Sequence, residues 1–378
     1  MGKQNTIPEL RFPEFKGEWE NKKLRDVTEI NPTNKSLPES FIYIDLESVE
    51  NGFLKKETLV FKNEAPSRAQ RILMVKDVLF QMVRPYQMNN LYFNKVGNYV
   101  ASTGYAQLRT NQNSLFIFQY LHYQKFVDKV IERCTGTSYP AINSTDLSNI
   151  TIRVPPLPEQ QKIATFLISV DERLQTLKKK KSLLEQYKKG VMQKLFSQEL
   201  RFKDEKGKEF PKWGKKKLSE IASKKSSNIS ANKIEDNLGN YIIYGASGIL
   251  KKVDFYEEEN DYISIIKDGA GVGRIFYCAG KSSVLGTMEI IKPKSTINTY
   301  FLYCLLDNID FVKYITGSTI PHIYFKDYSI EECDIPCFEE QTKIANFVSS
   351  LDKKINYCQS QIEKTEQYKK GLLQKMFV

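Results

Sequence analysis

Few residues in this 378-residue chain have the types and spacing that bond-making chemistry requires. Asp268-Gly-Ala-Gly-Val-Gly-Arg274 has the glycine content of a phosphate-cradling loop and follows the strand-like YISIIK. The β-branched and aromatic RIFYC comes next, where a dinucleotide site needs a helix N-terminus, so the segment reads as a hairpin connection. Asn31-Pro32-Thr33-Asn34 starts like a motif that holds an extruded base, but it lacks the second proline and the stacking aromatic, and it reads as a turn. Two histidines, His122 and His322, leave almost no material for a Ser/His/Asp triad or a His-based metal site. Cys134, Cys278, Cys304, Cys333, Cys337 and Cys358 form no CxxC pair, and reduced, mostly buried thiols are expected.

Hydrogen-bonding chemistry is better supplied. Thr135-Gly-Thr-Ser-Tyr-Pro140 and Thr316-Gly-Ser-Thr-Ile-Pro321 lie at matching places, each ahead of an aspartate in the same register, Asp146 and Asp327. Small hydroxyls on a Gly/Pro loop suit phosphate or base-edge contacts. A turn that docks a domain onto its neighbouring helix accounts for the repetition equally well. Arg84, in VRPYQMNN, stands among Asn, Gln and Tyr, a mixture apt for base edges. Arginines are uneven: residues 1–158 hold eight, residues 197–339 only Arg201 and Arg274. A second reader would therefore lean on Lys, Asn, Ser, Thr and Tyr.

The elements that must position these groups are written twice. Residues 135–196 align with 316–377 without a gap at a constant offset of 181, and 17 of the 38 pairs from Glu159/Glu340 to Phe196/Phe377 are identical. Each 38-residue copy follows a proline-bearing lead (VPPLPEQ, DIPCFEEQ) and contains no Pro or Gly until YKKG, with acid at its start and base at its end, so each reads as one helix. Steps of 4,3,4,3 pick out Ile163, Leu167, Val170, Leu174, Leu177, Lys181, Leu184, Lys188, Val191 and Leu195. In the second copy they pick out Ile344, Val348, Leu351, Ile355, Cys358, Ile362, Thr365, Lys369, Leu372 and Met376. Eight of ten are apolar in each ladder, the pattern of a coiled-coil seam. The partner expected for each stripe is the other copy, running antiparallel about a pseudo-twofold axis, with rods of roughly 57 Å at 1.5 Å per residue. The alternative is that the stripes pack onto their own domains. Of Lys178–Lys181, Lys181 interrupts the seam and most of the others belong to a solvated flank.

Outside the helices, Leu10-Arg11-Phe12 recurs as Leu200-Arg201-Phe202, Trp19 as Trp213, and Lys22-Lys23-Leu24 as Lys216-Lys217-Leu218. Between lead and helix lie short strand patterns: FIYIDLESV before Asn51-Gly52, DVLFQMV, NYVAS and NSLFIF in the first half, YIIYG, YISIIK, RIFYC and TMEIIK in the second. Helices are expected at 120–133 and 300–314. The fold class is α+β with antiparallel strands, in four parts: domain 1–154, helix 155–198, domain 199–335 and helix 336–378.

Composition bounds the reading. The chain is 41% hydrophobic and 12% aromatic, enough for real cores, and no run approaches the ~20 apolar residues that span a bilayer. A soluble, cytoplasmic protein with no membrane partner is expected, since 1–15 lack an apolar leader core. The net charge of +11 is concentrated: 159–196 carries +5 and 340–378 carries +3, against +4 for 1–158 and −1 for 197–339. Charge alone is thus weak support for phosphate contact.

The LRFPEF…W lead, TG-x-x-x-P…VPPLPEQQKIA, LEQYKKGVMQKLF and the YGASG at 244–248 together resemble the specificity subunit of type I restriction–modification enzymes, over essentially the whole chain. The resemblance implies two target-recognition domains, each reading half of a bipartite site on double-stranded DNA, on helices that act as spacer and bind two methylation subunits, with restriction (motor-nuclease) subunits joining the complex. It implies no catalysis and no cofactor in this chain; S-adenosylmethionine, ATP and Mg2+ belong to the partners. Residues put forward for DNA contact are Arg68, Arg71, Arg84, Tyr86, Arg109, Thr137, Ser138 and Tyr139 in the first domain. In the second they are Tyr244, Ser247, Lys267, Arg274, Ser318, Thr319, His322 and Tyr324. A non-enzymatic scaffold joining protein partners, and a self-contained methyltransferase, are the competing readings.

Overall fold

The computed structural model describes residues 7–34, 36–50, 52–234 and 239–378. The chain divides into two compact units, Met1–Leu177 with Ser360–Val378, and Lys178–Gln359. Both long helices form, Leu157–Phe196 and Phe338–Met376, and each gives one half to either unit.

In the first unit, a strand in the lead, Glu20–Lys23, pairs antiparallel with Thr151–Val154, closing the domain just before the long helix begins. Between them lie two four-stranded sheets. One has the order Thr58–Phe61, Ser40–Ile44, Tyr99–Ser102, Ala69–Ile72; the other has Glu29–Ile30, Tyr105–Arg109, Val78–Gln81, Leu91–Tyr92. A small ladder, Val49–Glu50 with Phe53–Leu54, brackets the expected turn, whose Asn51 lies outside the described residues. The second unit repeats the plan. Gly214–Lys217 pairs with Glu332–Ile335, and Tyr262–Ile266 is central between Met288–Pro293 and Ile275–Cys278. A further sheet has the order Gly248–Val253, Tyr241–Gly245, Ser282–Val284. The glycine-rich segment does connect a hairpin.

Three expectations need correction. The strands are not all antiparallel: Tyr99–Ala101 runs parallel to Ile42–Ile44, and Ile242–Tyr244 to Ser282–Val284. NSLFIF is helical, Ser114–Tyr120, because Asn113 caps it by accepting the Phe116 N–H and because Phe116, Ile117 and Tyr120 share the buried face. The helix expected over 120–133 is therefore a separate one, Gln124–Ile131, and that over 300–314 is Thr299–Asp307 followed by a 3-10 turn, Phe311–Tyr314.

Seam residues are distributed by burial. Ile163, Leu167, Val170, Val191, Leu195, Ile344, Val348, Leu351, Ile355, Cys358, Ile362, Leu372 and Met376 are buried; Leu174, Leu177 and Leu184 are half-buried. In the first unit, Ile163, Leu167 and Val170 share one core with Leu372, Leu373, Met376 and the domain residues Trp19, Phe116 and Tyr120. In the second, Val191, Met192 and Leu195 share a core with Ile344, Ala345, Val348 and the domain residues Trp213, Phe301 and Leu302. Helix–helix packing and helix–domain packing, set out above as alternatives, are thus one core at these ends. The early part of each helix meets the late part of the other (163–171 with 369–376, 188–195 with 344–352), so the pair is antiparallel. Among the described residues no helix is long and apolar enough to cross a membrane.

Candidate nucleic-acid interface

The groups that fix each domain to its helix come from the repeated motifs. Glu159, 1% exposed, accepts from Arg11 (Nε, 2.7 Å; Nη2, 2.8 Å) and from Trp19 Nε1 (3.3 Å). Glu340, 0% exposed, accepts from Arg201 (Nη2, 2.7 Å) and Trp213 Nε1 (3.0 Å). The next residue holds the domain's own helix. Gln160 accepts from the N–H of the cap Asn113 (3.2 Å) and donates to the Pro155 carbonyl (2.8 Å); Gln341 does the same with Asn298 (2.9 Å) and Pro336 (3.0 Å). A buried carboxylate so paired leaves no unmet polar group, which explains why Arg, Trp, Glu and Gln recur together. Of the three lysines that interrupt the ladders, Lys181 pairs with Glu185 on its own helix (3.4 Å) and the other two are ion-paired to the opposite helix. Lys369 meets Asp171 (2.6 Å) in the first unit and Lys188 meets Asp352 (2.6 Å) in the second, an exchange between positions equivalent under the offset of 181.

On each domain so anchored, two loops come together. In the first, the loop after Val78–Gln81 packs against the 135–141 loop: the Arg84 N–H donates to the Pro140 carbonyl (2.7 Å) and the Ile142 N–H to that of Met82 (3.1 Å). In the second, the loop after Tyr262–Ile266 packs against 316–322: the Gly269 N–H donates to Pro321 (2.9 Å) and the Ile323 N–H to Lys267 (2.9 Å). The equivalent backbone position is left-handed in both, Arg84 at φ 53° and Gly269 at φ 87°.

The loop pair gathers Arg84, Tyr86, Thr137, Ser138 and Tyr139 in the first unit, with all but half-buried Arg84 exposed. The Arg84 guanidinium lies 4.2 Å over the Tyr139 ring. In the second unit it gathers Lys267, Ser318, Thr319, His322 and Tyr324, the His322 and Tyr324 rings 5.0 Å apart edge to face. Arg274 ends the same glycine loop and reaches the Ala246 carbonyl (3.5 Å), beside exposed Ser247.

Other candidates lie elsewhere. Arg109 is committed to buried Asp77 (Nη2 to Oδ2, 2.8 Å; Nε to Oδ1, 2.9 Å), which raises its pKa. Arg71 is half-buried with Nε unpartnered, and desolvation lowers its pKa. Arg68 is exposed next to the strand Ala69–Ile72. Tyr244 packs against the Tyr262–Ile290 core, and burial raises its pKa. No group of three or more His, Cys, Asp and Glu able to hold a metal occurs among the described residues.

Gln81 and Asn90, buried beneath the first loop pair, were not legible as its support. Gln81, 2% exposed, donates to the Val83 carbonyl (2.7 Å) and Gln87 Oε1 (2.9 Å) and accepts from the Asn89 N–H (3.1 Å); Asn90 accepts from the Gln81 N–H (2.9 Å). The available signal was one amide in the otherwise apolar strand VLFQ.

Comparison with known proteins agrees with this duplicated plan. The family model described as "Type I restriction modification DNA specificity domain" matches twice, over residues 16–186 and 211–367. Among similar proteins is the putative type I restriction enzyme MjaX specificity subunit of Methanocaldococcus jannaschii, 23% identical over 98% of this chain and 95% of that one. The MjaVIII specificity subunit of the same organism is 36% identical over 32% of this chain and 28% of its own. The crystal structure of an S subunit from M. genitalium superposes with a TM-score of 0.69 at 18% identity, covering 98% of this chain and 99% of that one. A chain from a structural study of complex assembly and conformational transition in the type I R-M system gives 0.54 at 19% identity, over 95% and 97%. With both matched stretches accounting for most of its length, the chain belongs to the family of type I restriction–modification DNA specificity subunits.

Proposed function

We propose that this chain reads an asymmetric DNA site in two separated halves, one per domain, and carries the methylation and restriction subunits that act there. The observation that supports it most is the loop pair: one scaffold occurs twice and bears different residues, Arg84, Tyr86 and Tyr139 in one copy, Lys267, Gly269 and His322 in the other. Equal scaffolds with unequal tips suit a site whose halves differ in sequence. The long antiparallel helices act as a ruler, fixing how many unread base pairs lie between the halves. Methyl transfer with S-adenosylmethionine and ATP-driven cleavage with Mg2+ fall to the partners. A protein-joining scaffold has one observation in its favour, the −1 charge of residues 197–339.

The test is a map of methylated adenines in cells carrying this chain with its methylation partner. A bipartite motif with a constant gap is the expected result, with binding that weakens as salt rises. A scaffold gives no motif. A self-contained methyltransferase binds S-adenosylmethionine as the purified chain, which calorimetry would register.

A further inference from the structure

We infer that the half-site read by the first domain contains a G·C pair recognised by Arg84, whose guanidinium is fixed for that contact by Tyr139 and by the Gln81 brace. This rests on the two-part DNA reading above and goes beyond it by naming a base and the residue that selects it.

Arg84 is placed unlike several other arginines of its unit. Arg11, Arg25, Arg109 and Arg133 pair with carboxylates or carbonyl oxygens of the fold. No carboxylate pairs with Arg84 among the described residues; its guanidinium carbon lies over the ring of Tyr139, 4.2 Å from the centroid, and Tyr139 is 64% exposed. A cation–π contact uses the π face of the ring and takes up none of the guanidinium's N–H donors, so the fork stays available to a ligand. That fork matches the O6 and N7 acceptors of guanine in the major groove.

The backbone adds an independent argument. A left-handed conformation is uncommon for a residue with a Cβ and persists only where the surroundings over-determine it. Here the Arg84 N–H is bonded to Pro140, and buried Gln81 ties both sides of the turn through Val83, Gln87 and Asn89. The second unit meets the same backbone requirement with Gly269, bonded to Pro321 in the same way, with open space where a Cβ would stand. The turn therefore needs a left-handed residue and does not need an arginine. Arginine at this place serves by its side chain.

The experiment uses the complex of this chain with its methylation subunits. The half belonging to residues 16–154 is first assigned by domain exchange, and competition binding then uses duplexes carrying each base pair at every position of that half. One position is expected to prefer G·C. Arg84→Gly, which keeps the left-handed turn as Gly269 does, should reduce that preference roughly ten- to a hundredfold and leave the second half unchanged. Arg84→Gln should move the preferred base toward adenine, since an amide pairs with N6 and N7 of adenine. Tyr139→Ala should weaken the preference without changing the base. A first half without G·C, an unaltered preference in Arg84→Gly, or a uniform loss at all positions, as for a phosphate contact, overturns the inference. No bipartite motif from the natural chain would instead overturn the underlying two-part reading.

Discussion

Glu159 and Glu340 show how much one side chain can carry. Each is almost fully buried and accepts from an arginine and a tryptophan indole well away in sequence. Removing the carboxylate strands a part-buried guanidinium and an indole N–H. Glu159→Ala should therefore lose about 3–5 kcal/mol of stability in its unit, read by urea unfolding, with Glu340→Ala doing the same in the other. A loss within experimental scatter would mean that water takes over both donors. His122 supplies a pH test. Burial and Lys369 push its pKa down from 6.5 to about 4, against the opposing pull of Asp171 and the Phe118 carbonyl. Between those values the unfolded chain binds a proton that the folded chain refuses, so this residue makes stability fall as pH drops through that window. The difference in thermal stability between natural and His122→Gln proteins should vary with pH between about 4 and 6.5 and become constant above 6.5; parallel profiles throughout would remove His122 from the account. At this scale the sequence exposed Arg84 by its company, whereas Gln81 and Glu159 looked ordinary because their partners arrive only through folding.

The long helices were the most legible elements, since a 3.5-residue period sustained over nearly five heptads admits few other interpretations. Their exceptions were not. Lys188 and Lys369 looked like faults in a seam until Asp352 and Asp171 proved to be their partners. Short apolar runs misled in the opposite direction: NSLFIF has too few residues to reveal a period, and the Asn113 cap decided for helix. If the helices set the spacing of two readers, four residues inserted after Lys180 and after Gln361 add about 6 Å. The unread gap should then grow by roughly two base pairs at ~3.4 Å each. Methylated-motif mapping reads this directly, and an unchanged gap would defeat the ruler.

For the whole molecule, independence of the two readers is the quantity to measure. Exchanging residues 16–154 for the equivalent domain of another family member should alter one half of the methylated motif and leave the other intact. A change in both halves would show that the domains read jointly. The duplicated architecture was legible from the constant offset of 181. The parallel strand pairs were not, because register between distant strands leaves no local trace in composition.

The units also differ in how the polypeptide threads them. Lys178–Gln359 is a single continuous stretch, whereas the first unit needs Ser360–Val378 to complete its core: Phe377 packs on Trp19, Phe116, Tyr120 and Tyr123, and the Leu10 N–H bonds to the Lys375 carbonyl. During synthesis, the lobe translated later can close first, while the one translated earlier waits for Ser360–Val378 to fill its aromatic core. A nascent chain halted before Leu372 would carry one lobe whose core residues are all present and one lacking the Leu372, Leu373, Met376 and Phe377 that seal it.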